Sequence, residues 1–214
     1  MTERKTDTSG VAARIETDAQ LDALYGAPVQ PALDKEIDHV GVHYRAYIEA
    51  APFCVLATVG PDGMDCSPRG DPAPLVTVAD PKTLLLPDRR GNGRIDALRN
   101  LIRDPRISLL FLIPGIDVTI RINGRAEISA DADLCARFTL QGKAPKTVIV
   151  VTVDRAYFQC PKALVRSRLW MSEAQVDRAT LPSTGTMLQA LGKAEFDGAA
   201  YDAGYAEHMA RTIY

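Results

Sequence analysis

Apolar positions along this chain follow two rhythms. Towards both ends they recur three and four residues apart, the spacing of one helix face, whereas from residue 53 to 158 they mostly alternate, the spacing of strands. Residues 18–25 predict a short helix, with Thr17 or Asp18 as N-cap and Gly26 as its stop. After breaks at Pro28 and Pro31, a longer helix is predicted over 33–50, where Ile37, Val40, Tyr44, Tyr47 and Ile48 share a face. Past Pro52, FCVLATV at 53–59 predicts a strand, GPDG at 60–63 a hairpin turn with its Asp-Gly signal, and 64–70 the returning strand. Residues 75–79 and 83–86, joined at Asp80-Pro81, repeat that arrangement, and 106–113, 118–128 and the valine-rich 146–158 continue it. One amphipathic helix interrupts the series: Ile95, Leu98, Leu101 and Ile102 are apolar, Asp96, Arg99, Asn100 and Arg103 polar, and Asp104-Pro105 closes it. A further helix is predicted over 132–140. Beyond Ser172, Met187, Leu188 and Leu191 form one helical face, and Tyr201, Tyr205, His208 and Met209 another. About six strands at hairpin spacing favour an antiparallel barrel with helices around it over a parallel sheet.

Length and composition narrow the class. A chain of 214 residues with 46% hydrophobic and 24% charged residues fits one soluble globular domain with appendages. Residues 1–14 are polar and aperiodic and read as a mobile tail. No run approaches the ~20 apolar residues of a membrane span. The opening MTERKTDTSG carries no apolar signal core, so a cytoplasmic protein away from membranes is expected. Cys54, Cys66, Cys135 and Cys160 are scattered, without a CxxC pair, and read as reduced thiols in or near the core. His39 and His43 stand four apart, but with no third ligand nearby and no HExxH they read as surface or interface residues, and no metal is expected. A net charge of -2 argues against a nucleic-acid surface.

Charge is nonetheless concentrated in one place. From Lys82 to Arg106 seven Lys/Arg face three Asp, and Arg89, Arg90, Gly91, Asn92, Gly93 and Arg94 form a basic loop leading into the amphipathic helix. Such a loop offers backbone N–H groups, a helix dipole and guanidinium forks to a phosphate, unless it is simply a solvated surface. It is not a P-loop, because no Gly-x4-Gly-Lys-Ser/Thr occurs, and Gly91, Gly93 and Asp96 lack the third glycine of a dinucleotide fold.

Four segments, in order, add a resemblance. FCVLATVGPDGMDCSPRGD, TLLLPDRRGNGR, DPRISLLFLIPG with TIRINGRAEI, and YFQCPKALVRSRLW together resemble the pyridoxamine 5'-phosphate oxidase-like, FMN-binding split-barrel superfamily. In particular they resemble a branch with a Cys-Ser-Pro-Arg-Gly-Asp signature. The resemblance covers residues 35–170 and implies a mainly β (α+β) fold, a six-stranded antiparallel split β-barrel with peripheral helices. Residues 1–32 would be a tail and short helix, 33–170 the FMN-binding domain, and 171–214 a helical extension.

The resemblance also implies a homodimer with FMN in each of two clefts between subunits. Apolar strands too numerous for one small barrel to hide point the same way. Carried over by motif, Ser67, Arg69 and Asp71 of CSPRGD and Arg89, Asn92 and Arg94 of DRRGNGR would hold the ribityl chain and phosphate. Thr119 falls where the family often turns a side chain toward the isoalloxazine. Lys162, Arg166, Ser167 and Trp170 belong to the motif that reaches the partner's cleft. Each has a plainer alternative: Arg69 with Asp71 as a surface ion pair, Lys162 and Arg166 as the wet face of a turn, Trp170 as a residue buried on the barrel. An FMN-dependent oxidoreductase acting on a small-molecule substrate or electron donor is expected, with no catalytic side chain evident. The alternatives are a flavin carrier without turnover, or a barrel holding haem or a deazaflavin.

Overall fold

The computed structural model describes residues 14–192 and 196–214. The tail expected over 1–14 lies, except for Arg14, outside them. Two compact units emerge, one ending at Lys35 and one from Glu36 to Tyr214.

The first unit holds α1 (Asp18–Tyr25) and α2 (Gln30–Asp34). Thr17 caps α1 through a capping box with Gln20, and Gly26, at φ 69, ends it where a side chain would be strained.

The second unit opens with α3 (Val42–Ala50), shorter than the helix predicted over 33–50. The reason is nonlocal. The Ile37 N–H donates to Ala156 O at 3.0 Å and the Ala156 N–H to Ile37 O at 2.7 Å, an extended pairing that helical geometry would forbid. The apolar spacing of Ile37 and Val40 thus serves docking on a strand rather than a helix face, and the helix begins only after Gly41.

Seven strands follow: β1 (Phe53–Gly60), β2 (Gly63–Gly70), β3 (Thr77–Asp80), β4 (Thr83–Pro87), then α4 (Asp96–Arg103), β5 (Arg106–Ile113), β6 (Ile116–Ser129), α5 (Ala132–Ala136) and β7 (Val148–Gln159). Helix α6 (Lys162–Ser167) leaves the last strand, and α7 (Thr184–Leu191) and α8 (Gly198–Thr212) end the chain. The strands form one sheet in the order β2-β1-β5-β6-β7-β4-β3, antiparallel at each pairing, and its edge strands β2 and β3 do not pair with each other. This is the split barrel, with seven strands rather than the six expected. Alternate residues of the strands converge on a single core: Cys54 and Leu56 from β1, Leu84 and Leu86 from β4, Leu109 and Phe111 from β5, Ile120 and Ile122 from β6, and Val151 and Val153 from β7. Burying each large apolar side chain contributes about 1.5–3 kcal/mol. Helix α4 closes the barrel with Ala97, Asn100 and Leu101 buried.

At Gly124 the register of β6 against β7 shifts, and a Cβ would lie 2.1 Å from Thr152 O, so the Asn-Gly-Arg motif marks a backbone crossing. Helix α5 is shorter than predicted, because Leu140 and Lys143 pair with each other and turn the chain. Among the described residues no helix is long and apolar enough to cross a membrane.

Candidate functional site

Strand alternation puts Asp65, Ser67 and Arg69 on one half-buried face of β2, with Met64, Cys66 and Pro68 exposed. The chain then meets the loop after β4. The Asp88 N–H donates to Thr147 O at 3.0 Å, tying that loop to the segment before β7. Two arginines fill the space between. Arg69 donates from Nη1 to Ser67 Oγ and to Pro68 O, both at 2.9 Å, and stands 3.8 Å from Asp88. Arg89 donates from Nε to Asp71 Oδ2 at 2.6 Å and from Nη1 to Phe138 O at 2.7 Å. Asp71 therefore pairs with Arg89, and Arg69 with Asp88. The neighbouring pair suggested by the sequence, Arg69 with Asp71, is replaced by two links that tie β2 to the loop.

Among the described residues two buried side-chain polar atoms lack a partner, Arg69 Nε and Thr147 Oγ1, and both residues contact Asp88, Arg69 through its guanidinium and Thr147 through its main-chain oxygen. Burial raises the Asp88 carboxyl above its usual range, with Arg69 opposing. Tyr214, 143 residues from Asp71 in sequence, donates its hydroxyl to Asp71 Oδ1 at 3.1 Å, and Lys143 Nζ donates to Tyr214 O at 2.7 Å. Burial first, then the Asp71 carboxylate, hold the Tyr214 phenol above its ordinary value.

Asn92 and Arg94 sit apart from this cluster. Asn92 Oδ1 accepts from the Arg94 N–H at 3.0 Å, and Arg94 Nε donates to Asp96 Oδ2 at 2.6 Å, which raises the arginine's pKa. Ile95, at φ 51, caps α4, so the first helical residue is Asp96, and its acid meets the Arg94 guanidinium at the helix start. Arg94, Arg99, Arg103 and Asp65 line a groove of about 310 Å³ between the β1–β2 hairpin and α4. Buried Asn100 braces its floor, donating to Thr58 Oγ1 at 3.1 Å and Asp65 Oδ2 at 3.2 Å. Asp65 shares the β2 face with Ser67 and Arg69, so the groove and the arginine cluster lie along one strand face.

The remaining candidates gather elsewhere. Thr119 is buried on β6 beside Gln159 in register, and Trp170 donates from Nε1 to Ile116 O at 3.0 Å at the β5–β6 turn. Lys162, Arg166 and Ser167 are exposed on α6, where Ser167 Oγ bonds Leu164 O at 3.0 Å. Among the described residues no hydrogen bond or ion pair joins this group to the arginine cluster.

Residues 42–160 match the family model described as pyridoxamine 5'-phosphate oxidase, more than half of the 214 residues. The chain belongs to this family. As a pyridoxamine 5'-phosphate oxidase relative it is also similar, at the level of fold, to several solved structures. HupZ of Group A Streptococcus is 20% identical over 55% of this chain and 91% of that one, with a TM-score of 0.45. General Stress Protein 26 of Bacillus anthracis is 18% identical over 53% and 88%, with a TM-score of 0.41. An FMN-binding protein of Syntrophomonas wolfei is 13% identical over 54% and 83%, with a TM-score of 0.43. No curated protein matches the chain.

Sequence reasoning named Ser67, Arg69, Asp71 and Arg89, which the fold brings together, and missed Asp88, Thr147, Lys143 and Tyr214. Asp88 was within reach, since it stands inside the LLLPDRR run beside Arg89. Thr147, Lys143 and Tyr214 arrive only through tertiary contacts. Two cysteines also differ from expectation: Cys54 and Cys135 are buried, but Cys66 and Cys160 are exposed, all four free.

Proposed function

We propose that this family member is an FMN-binding flavoprotein, an oxidoreductase whose flavin phosphate and ribityl chain lie against Ser67, Arg69, Arg89 and Thr147. The observation that carries the reading is the unpartnered Arg69 Nε, with Thr147 Oγ1, on a residue whose main-chain oxygen bonds Asp88, in the same condition. A buried polar atom left without a bond costs roughly 1–3 kcal/mol. A ligand rich in phosphate and hydroxyl oxygens would satisfy both atoms, and guanidinium forks favour phosphate among anions. When bound, FMN supplies the hydride-transfer chemistry. The chain's own residues bind and orient. Arg69 and Arg89 give cationic donors, Ser67 and Thr147 hydroxyls suit a polyol, and the barrel wall offers apolar surface to a ring. No side chain is assigned as a nucleophile, and burial pushes the Cys54 thiol up to about 12, so it stays protonated.

A homodimer belongs to the same reading. Thr119, Lys162, Arg166, Ser167 and Trp170 lie away from the arginine cluster within one chain. On the outer face of β1 and β5, Val55, Leu110 and Leu112 are only half-buried. A second copy covering that face would bring the two groups to shared clefts.

The absorption spectrum of the purified protein tests the cofactor: a flavin spectrum supports the proposal, whereas a Soret band or a colourless protein that takes up no FMN rejects it. Bleaching by NADH or NADPH followed by reoxidation separates an enzyme from a carrier. The site is tested by Arg69→Ala, which should weaken FMN roughly tenfold to hundredfold. Riboflavin, lacking the phosphate, should bind nearly as before. Equal losses for both ligands would place the phosphate elsewhere.

A further inference from the structure

Helix α8 is held to α7 at one end. Asp202 accepts from the Gly185 N–H at 2.8 Å and from the Ser183 hydroxyl, and Gly185 and Gly198 approach so closely that a Cβ on Gly185 would lie 2.0 Å from Gly198 O. At its other end the helix reaches the barrel through Tyr214, whose hydroxyl and main-chain oxygen bond Asp71 and Lys143. The placement of those bonds is informative. Asp71 has a side chain only 5% exposed and takes Arg89 on Oδ2 and Tyr214 on Oδ1. Tyr214 therefore sits against the Asp71–Arg89 pair without taking any donor from Arg89 or Arg69.

We infer that residues 198–214 form a clasp that Tyr214 and Lys143 hold shut over the Arg89 end of the candidate cleft, so that a phosphate-bearing ligand enters and leaves only when the clasp releases. This rests on the flavin reading for the identity of the ligand but not for the existence of the clasp. Because Tyr214 bonds the Asp71 carboxylate and takes no donor of either arginine, closure and ligand binding are compatible. The clasp slows exchange of the ligand rather than competing with it.

Tyr214→Phe keeps the ring and deletes the hydroxyl, and Lys143→Ala releases the main-chain oxygen from the other side. Two readouts decide. Phenylglyoxal labelling of Arg89, followed by mass spectrometry in flavin-free protein, reports whether that arginine is covered. The rate of FMN release reports whether the cover controls exchange. Each variant should speed both roughly tenfold, the effect expected of losing one hydrogen bond to a charged group. Unchanged Arg89 labelling in both variants overturns the clasp, and faster labelling with unchanged FMN release overturns its control of exchange. If the unaltered protein takes up no FMN, the flavin reading fails by itself, and the labelling still decides whether Tyr214 covers Arg89.

Discussion

Arg89 Nε donates to Asp71 Oδ2 at 2.6 Å, and this one contact ties the end of β2 to the loop that follows β4. The pair is 18% and 5% exposed, so removing either charge strands the other in a poorly solvated place. Asp71→Ala should therefore lower stability by on the order of 3 kcal/mol. Urea unfolding of the flavin-free protein measures it. A loss no larger than that of a surface pair would mean water reaches Arg89 freely.

The basic loop makes a different forecast. Arg94 is exposed and already bonded to Asp96, so an anion at the start of α4 would compete with that acid. Arg94→Ala should weaken FMN by less than Arg69→Ala does, and leave riboflavin unchanged. Titrations of both ligands with both variants rank the two arginines; a larger effect at Arg94 would move the phosphate to the helix start.

Dimerisation is checked by sedimentation at micromolar protein. The expected species is a dimer, and Leu110→Asp on the outer face of β5 should convert it to monomer while leaving the far-ultraviolet circular dichroism intact. A flavin-loaded monomer from the unaltered chain would contradict the shared-cleft arrangement.

Several carboxylates beside the barrel are held low, Asp80 and Asp104 among them, and Asp38 is the one of these three whose side-chain hydrogen bonds come from two different segments. Hydrogen bonds from Lys82 and then His39 hold Asp38 down to about 2, from an ordinary 3.8. A lowered folded-state value means the contribution is present above 3.8 and fades as pH falls through about 2. Lys82→Ala should return the Asp38 titration midpoint toward 3.8, read by carboxyl carbon NMR, and remove that contribution. An unmoved midpoint would assign the effect to His39.

What could be read from the sequence was whatever neighbouring residues decide. Thr17 with Gln20 and Gly26 fix α1 within ten positions, and the Asp-Gly turn at 62–63 fixes the β1–β2 hairpin. The family resemblance then supplied Ser67, Arg69, Asp71 and Arg89. Where distant backbone decides, reading failed: Ile37 looks helical until Ala156 is beside it. The plainer Arg69–Asp71 pair was not found for the same reason, because the two stand side by side at the end of β2 while their actual partners come from beyond β4. Tyr214 carried no local signal at all, since its bond to Asp71 joins residues 143 apart in sequence.

The Ile37 bridge has a further consequence for how this protein meets its own copies. Strand β7 is paired with β4 only from Val148 to Thr152, so the rest of that margin would offer bare N–H and C=O groups to any passing strand. Three of those groups are claimed instead. Val153 donates to Lys82 O at 2.8 Å, and Ala156 gives and takes one bond each with Ile37. A single extended residue thus acts as a fence post, denying the template along which barrels of this kind could zip edge to edge into fibres.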